Sequence, residues 1–308
     1  MGEYSKASII KYTRKAIGMT QAELADQICD TVSLARYESG KVDPPDEKFA
    51  RLMKKMGERG EIYLFPLRCD VPGIDMVMDK LLSAVEQYDW NQAEELMDIL
   101  RNTYNLSMEY CENLQYIMRV ENMINQRRKK ISDIEALKRY EETLRLTFSD
   151  FDIEHFPERK VLSETELLLL FNIASTSGII GDLDKALLSF GFLENYFSRK
   201  DMVDNSKPRY FIFLSYANLL GRIGRHRESI KICEREIQWL LRNNKVNYLY
   251  NFYFNIGWNI NEEIRKGLER ETNLCEAKAY IWLGYQLCKE YPENKRNLPI
   301  ISEYYNHM

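Results

Sequence analysis

From Asp75 onward, apolar residues recur at helical spacing in segments that come two at a time, and this restricts most of the chain to a stack of antiparallel helix pairs. One amphipathic helix cannot cover its own apolar face, whereas a row of pairs buries a continuous core. The first pair spans Asp75 to Tyr88 and Trp90 to Thr103 about a turn at Asp89, with Ala93 where the two helices cross. A less regular second pair runs from Ser107 to Gln126 and from Ser132 to Phe148. The third opens on a capping box, Ser163 with Glu166, continues to Ser177, turns at Gly181 and Asp182, and resumes with Ala186 at the crossing. The fourth, Tyr210 to Ile223 and Arg227 to Leu241, turns at Gly224 and Arg225. A fifth covers Val246 to Arg265 and Asn273 to Tyr291, and a short segment from Leu298 caps the stack. Only 14 Gly and 8 Pro in 308 residues argue against a sandwich or barrel, so the expected fold class is all-α, most of it a helical solenoid.

The residues before this stack follow another plan. Thr20 and Glu23 form a capping box that starts a helix at Gln21. Ala22, Leu24, Ala25 and Ile28 are its apolar side, and Gln21, Glu23, Asp26 and Gln27 its wet side. After an interruption at Cys29 and Asp30, Thr31 caps a second helix with Leu34, Ala35 and Tyr37 facing inward and Val32, Ser33 and Arg36 outward. Gly40 ends it in left-handed backbone, and Pro44 with Pro45 prevents continuation. A preceding helix, Ser8 to Ile17, carries Lys11, Arg14 and Lys15. A following one closes the small core with Phe49, Leu52, Met53 and Met56 before Gly57.

Two short helices about a tight turn have the form of a DNA-binding helix-turn-helix, the second being the recognition helix. The expected DNA contacts are Gln21, Thr31, Val32, Ser33, Arg36 and Lys41, with Arg14 on the phosphate backbone. Apolar periodicity alone suits a generic helical hairpin with solvated polar residues equally well. The expected organisation is a DNA-binding domain at 1–60, a connector at 61–74 with an apolar anchor of Ile62, Tyr63, Leu64 and Phe65, and repeats at 75–308.

A formal charge of -4 means that any affinity for nucleic acid must come from a local patch. The six cysteines lie apart, without a C-x-x-C pair, as small core residues in a reducing compartment do. MGEYSKAS lacks the apolar core of a signal peptide, and the longest aliphatic run, Leu167 to Leu170, is too short to span a bilayer, so a cytoplasmic protein without a membrane partner is expected. His155, His226 and His307 stand in unrelated contexts, and no phosphate-cradling loop or nucleophile elbow is present; neither enzyme activity, metal nor cofactor is expected. The run Arg127 to Lys130 reads as cations meeting the dipole at a helix C-terminus.

Asn172, Asn218 and Asn255 fall in the first helices of three successive pairs, next to the small residues Ala174, Ala217 and Gly257. A carboxamide donates and accepts, so a row of them can hold the backbone of an extended peptide, with Phe213, Tyr216, Tyr248 and Trp258 selecting side chains. The competing reading has these Asn bonding neighbouring helices and the aromatics in the core.

T-Q-x-E-L-A followed by R-Y-E-S-G-K and a proline resembles the Cro/repressor type of helix-turn-helix, and the pair Ile28 and Cys29 narrows the resemblance to the Rgg/PlcR group of Gram-positive regulators. Y-A-N-L-L-G-R-I-G-R-H-R-E-S-I and N-I-A-x-x-x-G-I-I-G-D-L-D-K-A-L resemble tetratricopeptide repeats. Over nearly its full length the chain resembles the peptide-pheromone receptors that include Rgg, PlcR and PrgX. The resemblance implies a homodimeric transcription regulator of quorum-sensing type, its dimer formed through the repeats, responding to a short linear peptide. Two-fold symmetry then implies an inverted-repeat operator on double-stranded DNA. The alternatives are a mobile-element-type repressor whose repeats bind a protein partner or only dimerise, and a scaffold with an inactive helix-turn-helix. Intact Gln21, Thr31 and Arg36 argue against the last.

Overall fold

Helices start where short-range chemistry directs them. In a computed structural model, which describes residues 5–64, 67–69, 71–104, 106–155, 161–198, 208–268, 273–291 and 297–307, both expected capping boxes are made. Thr20 accepts from the Glu23 amide at 3.2 Å and Glu23 accepts from the Thr20 N–H at 2.7 Å; Ser163 and Glu166 repeat the exchange at 3.2 and 2.7 Å. Helix occupies 74% of the described residues and no strand occurs among them, so the protein is all-α, an N-terminal helix-turn-helix followed by helical repeats. It divides into two compact units, Met1–Ser206 and Lys207–Met308.

The first unit opens with α1 (Lys6–Ala16), α2 (Gln21–Ala25), α3 (Thr31–Glu38) and α4 (Asp46–Lys55). Ile9, Ile10, Leu24, Leu34, Phe49, Leu52 and Met53 meet in a closed core. Four details differ from expectation. Helix α2 stops at Ala25, leaving Ile28 beyond it, because Gln27 adopts a left-handed φ of 62°. Two side chains of α4 hold that turn from below, Arg51 donating to the Gln27 carbonyl at 2.9 Å and Lys55 to the Asp26 carbonyl at 2.6 Å. Asp30, not Thr31, caps α3, accepting from the Ser33 amide at 2.7 Å and the Ser33 hydroxyl at 2.8 Å. A carboxylate is the stronger acceptor at the positive end of a helix, and these two bonds hold Asp30 below the usual carboxylate range. Finally, Ala22 and Ala35 are exposed, and Glu38 takes the inward position next to Tyr37.

Beyond α4, α5 (Glu61–Leu64) lies within the connector, and its Tyr63 hydroxyl donates to the Val161 carbonyl at 3.1 Å, so the segment is docked. Phe65 and Pro66 lie outside the described residues. Three pairs follow: α6 (Ile74–Glu86) with α7 (Trp90–Asn102), α8 (Cys111–Arg127) with α9 (Asp133–Leu144), and α10 (Glu164–Ile180) with α11 (Leu183–Ser198); α9 also packs on α10. Ala93, Ala136, Ala174 and Ala186 are fully enclosed at the crossings.

The second unit holds α12 (Pro208–Arg222), α13 (His226–Arg242), α14 (Leu249–Arg265), α15 (Leu274–Glu290) and α16 (Leu298–Asn306). Its tightest seam joins α14 to α15. A Cβ on Gly257 would stand 2.6 Å from the Ala277 carbonyl oxygen, and one on Gly284 would stand 3.0 Å from the Tyr250 carbonyl oxygen, so only glycine permits the approach. Phe252, Ile256, Ile281 and Cys288 fill the space around it.

Candidate nucleic-acid interface and repeat-domain polar clusters

Helix α3 presents one open face. Thr31, Val32, Ala35 and Arg36 are exposed, Val32 to 61%, and Lys41 and Val42 extend the surface just past the helix. An apolar side chain held out to that extent costs nothing to desolvate against a thymine methyl, and an exposed guanidinium beside it can reach a base edge. Arg36 has no side-chain partner among the described residues. Ser33 is half-buried and its hydroxyl is committed to Asp30.

Beneath this face the other two expected contacts turn inward. Arg14 on α1 donates Nε–H to Glu38 Oε1 at 2.5 Å and Nη2–H to Glu38 Oε2 at 2.8 Å, and its Nη1 donates to the Met19 carbonyl at 2.8 Å. Gln21 on α2 donates Nε2–H to the same Glu38 Oε2 at 2.7 Å. Glu38, 7% exposed, thus ties α1, α2 and α3 together. Burial opposes its charge, but the bonds from Arg14 and Gln21, with the fields of Arg14 and Lys11, outweigh that and hold the carboxyl below its ordinary range. The guanidinium expected on the phosphate backbone has a structural position, its side chain 11% exposed. Glu38 was missed because an acid following Tyr37 reads as solvated unless its counter-charge 24 residues away is known.

In the second unit, Asn255 is buried and engaged on all sides. Its Nδ2 donates to Asn218 Oδ1; Asn259 Nδ2 donates to Asn255 Oδ1 at 2.6 Å and to Ser229 Oγ at 3.0 Å. His226 Nδ1 lies 2.9 Å from Asn259 Oδ1, and Lys266 Nζ lies 3.0 Å from His226 Nε2. Asn218 itself is exposed. Of the aromatics, Tyr248 and Trp258 are half-buried, Tyr248 stacked on Tyr210 with ring centroids 4.0 Å apart. Phe213 is a correction: at 1% exposure it is a core side chain, flanked by the guanidinium groups of Arg209 and Arg235 at 5.0 and 4.7 Å. Tyr216 is buried too, at 7%. In the first unit, Asn172 is 9% exposed and its Oδ1 has no hydrogen-bond partner among the described residues.

At the end of α8, Arg128 and Lys130 pair with Glu94 of α7 at 3.3 and 2.7 Å, so this basic run is partly an inter-helix brace. No group of His, Cys, Asp and Glu that could hold a metal occurs among the described residues, and no helix there is long and apolar enough to cross a membrane.

Residues 10–62 match the helix-turn-helix family. No curated protein matches the sequence. Among solved structures, PlcR of Bacillus thuringiensis in its apo form superposes with a TM-score of 0.57 over 95% of this chain and 98% of that one, at 16% identity. Its fold resembles that of PlcR. The complex of PlcR with the peptide PapR7 and DNA gives 0.55 over 92% and 95%, at 18% identity. ComR from S. thermophilus, in complex with DNA and its signalling peptide ComS, gives 0.48 over 98% and 99%, at 14% identity. The resemblance to the Rgg/PlcR/PrgX group read from the motifs thus extends, through PlcR, to the arrangement of helices.

Proposed function

We propose that the protein is a sequence-specific, DNA-binding transcription regulator that lays α3 in the major groove of an inverted-repeat operator, dimerises through its repeats, and has its DNA affinity set by a short linear peptide inside the cell. The observation that carries the first part is the open face of α3: exposed Thr31, Val32 and Arg36 on a helix fixed from below by Glu38. Lys41 extends that face toward phosphate, while Arg14, Gln21 and Ser33 position it. The peptide part is supported by the fold likeness to PlcR, a protein seen with both PapR7 and DNA. In the second unit Asn218, Tyr248 and Trp258 are the proposed contacts, with Asn255 orienting Asn218 and with Phe213 and Tyr216 supporting them from the core; Asn172 is a separate proposed contact within the first unit.

The test begins with an operator selected from random DNA. Replacing Arg36 by Ala should cost on the order of 1–3 kcal/mol at that operator in a gel-shift titration and relax the preference at one base pair. Unchanged binding would remove α3 from the groove. Calorimetry with peptides encoded by neighbouring small genes tests the ligand, with Asn172→Ala and Asn218→Ala as controls; coupling to DNA affinity of about 1–3 kcal/mol is typical for such a switch. One observation favours a repressor whose repeats take no peptide: Asn255 is satisfied by its own neighbours. That reading stands if no peptide binds while operator affinity is intact.

A further inference from the structure

The open face of α3 lacks half of the groups that read DNA bases, and what it keeps restricts the base pairs it can tell apart. Adenine is read by a side chain that donates and accepts together, Asn or Gln, and cytosine by a carboxylate that accepts from its amino group. Residues 30–42 contain neither Asn nor Gln. Their two carboxylates are committed to the fold. Asp30 accepts from the Ser33 amide with one oxygen and from the Ser33 hydroxyl with the other, at 2.7 and 2.8 Å. Glu38 is 7% exposed and holds Arg14 and Gln21. Two of the three hydroxyls are spent as well, Ser33 on Asp30 and Ser39 on the Arg36 carbonyl at 3.1 Å.

Facing outward there remain the Thr31 hydroxyl, the methyl groups of Val32, Ala35 and Val42, and the cations of Arg36 and Lys41. No side-chain acceptor beyond one hydroxyl is on offer, so the amino groups of adenine and cytosine find little to pair with. Guanine O6 and N7, which accept, and the C5 methyl of thymine each have a counterpart.

Position sorts the counterparts. Val32 and Arg36 are four residues apart, on one stripe of α3 and about 6 Å from each other along its axis. Base pairs stack about 3.4 Å apart, so a helix seated along the groove sets the two side chains on pairs no more than about two steps from each other. Val32, 61% exposed, stands in the first turn of α3, and Arg36 in its last. A β-branched side chain in a helix keeps essentially one rotamer, so the Val32 methyls hold their place, and the tie of Glu38 to α1 and α2 fixes the rotation of the stripe. We infer that α3 reads a guanine, whose O6 and N7 accept from Arg36, and a thymine within about two base pairs of it, whose methyl group packs on Val32. This rests on α3 being the helix laid in the groove and names the bases that helix tells apart.

The full chain is used to select an operator from random duplex DNA, and base analogues are then placed in it one position at a time. Deoxyuridine for thymidine removes a methyl and no hydrogen bond, and 7-deazaguanine removes N7 alone. An enriched G·C pair with a T·A pair within two steps is expected. Deoxyuridine at that T should weaken binding about fourfold, the worth of one buried methyl, and 7-deazaguanine at that G about tenfold. Where T is replaced by cytosine, 5-methylcytosine should bind more tightly than cytosine. Val32→Ala is an exposed change to a better helix former and keeps the fold. It should bind the thymidine and deoxyuridine operators alike. Deoxyuridine tolerated at every T, or a Val32→Ala chain that still tells thymidine from deoxyuridine as wild type does, overturns the thymine assignment. Indifference to 7-deazaguanine at every G overturns the guanine assignment. Either result leaves α3 in the groove, since Arg36→Ala tests that separately. Selection that enriches no sequence removes the base assignment and the DNA reading together.

Discussion

Arg14 on α1 and Glu38 on α3 face each other through two parallel hydrogen bonds, Nε to Oε1 at 2.5 Å and Nη2 to Oε2 at 2.8 Å, under the helix that carries Val32 and Arg36. The paired geometry fixes rotation as well as distance, which a single lysine contact would not. Gln21 adds α2 to the same carboxylate at 2.7 Å, so the orientation of α3 is set by one buried acid.

Removing Arg14 should therefore act on the fold before it acts on DNA. Arg14→Ala leaves Glu38 buried and charged, at a cost on the order of 3–5 kcal/mol to the helix-turn-helix domain. Hydrogen exchange of the α1 to α4 amides should report the loss. If protection is unchanged while the salt dependence of DNA binding flattens, Arg14 contacts phosphate after all.

Acid should weaken the same lock. Glu38 titrates below the ordinary value of 4.5 in the folded chain, so folding favours the carboxylate. Its contribution is complete above pH of about 4.5 and is lost as the pH falls through the lower folded value. Denaturant unfolding of wild type and Glu38→Gln should differ most at neutral pH and converge on acidification. A gap that widens toward low pH would contradict the assignment.

In the second unit the most sensitive backbone position is Gly257, where a Cβ would meet Ile281 Cγ1 at 2.5 Å and the Ala277 carbonyl oxygen at 2.6 Å. The carbonyl belongs to a helix and cannot retreat alone. Gly257→Ala should cost about 1–3 kcal/mol by overpacking, seen as a lower midpoint in thermal unfolding. A neutral result would mean that the α14–α15 seam is looser than described.

Asn259, with no exposed surface, serves three partners at once: Asn255, Ser229 and His226. Asn259→Ala should cost more than one ordinary hydrogen bond, about 1–3 kcal/mol for each group left unsatisfied. Asn255→Ala in the same background should then cost less than it does alone, and simple additivity of the two would show that they are not one network.

What could be read from the sequence follows from the range of each interaction. Capping boxes, the glycines at 40, 181 and 224, and the small residues at helix crossings act within a few residues, and each stands where the pattern put it. Helix α3 was legible for the same reason. Glu38 and Asn259 were not, because their partners lie on other helices and a lone polar residue on an amphipathic segment reads as solvated. The buried stripe Gln115, Arg119, Asn122 and Gln126 of α8 did carry a signal: polar residues at helical spacing, interleaved with apolar Ile117, Val120 and Ile124, leave α8 no wet face toward its neighbours. It registered only as irregularity in the second pair.

The carboxamides of the second unit also have a sense. An ammonium has no lone pair to accept with, so Lys266 obliges His226 Nε2 to accept, His226 Nδ1 to donate to Asn259, Asn259 to donate to Asn255, and Asn255 to donate to Asn218. A side chain at the C-terminal end of α14 thus decides which way round three amides stand. Asn218, at the exposed end, has one oxygen lone pair taken and its own N–H groups left to offer, so that spot on the surface reads a carbonyl. Glutamine in place of Lys266 could accept as well as donate, and would release the whole chain to run in either direction.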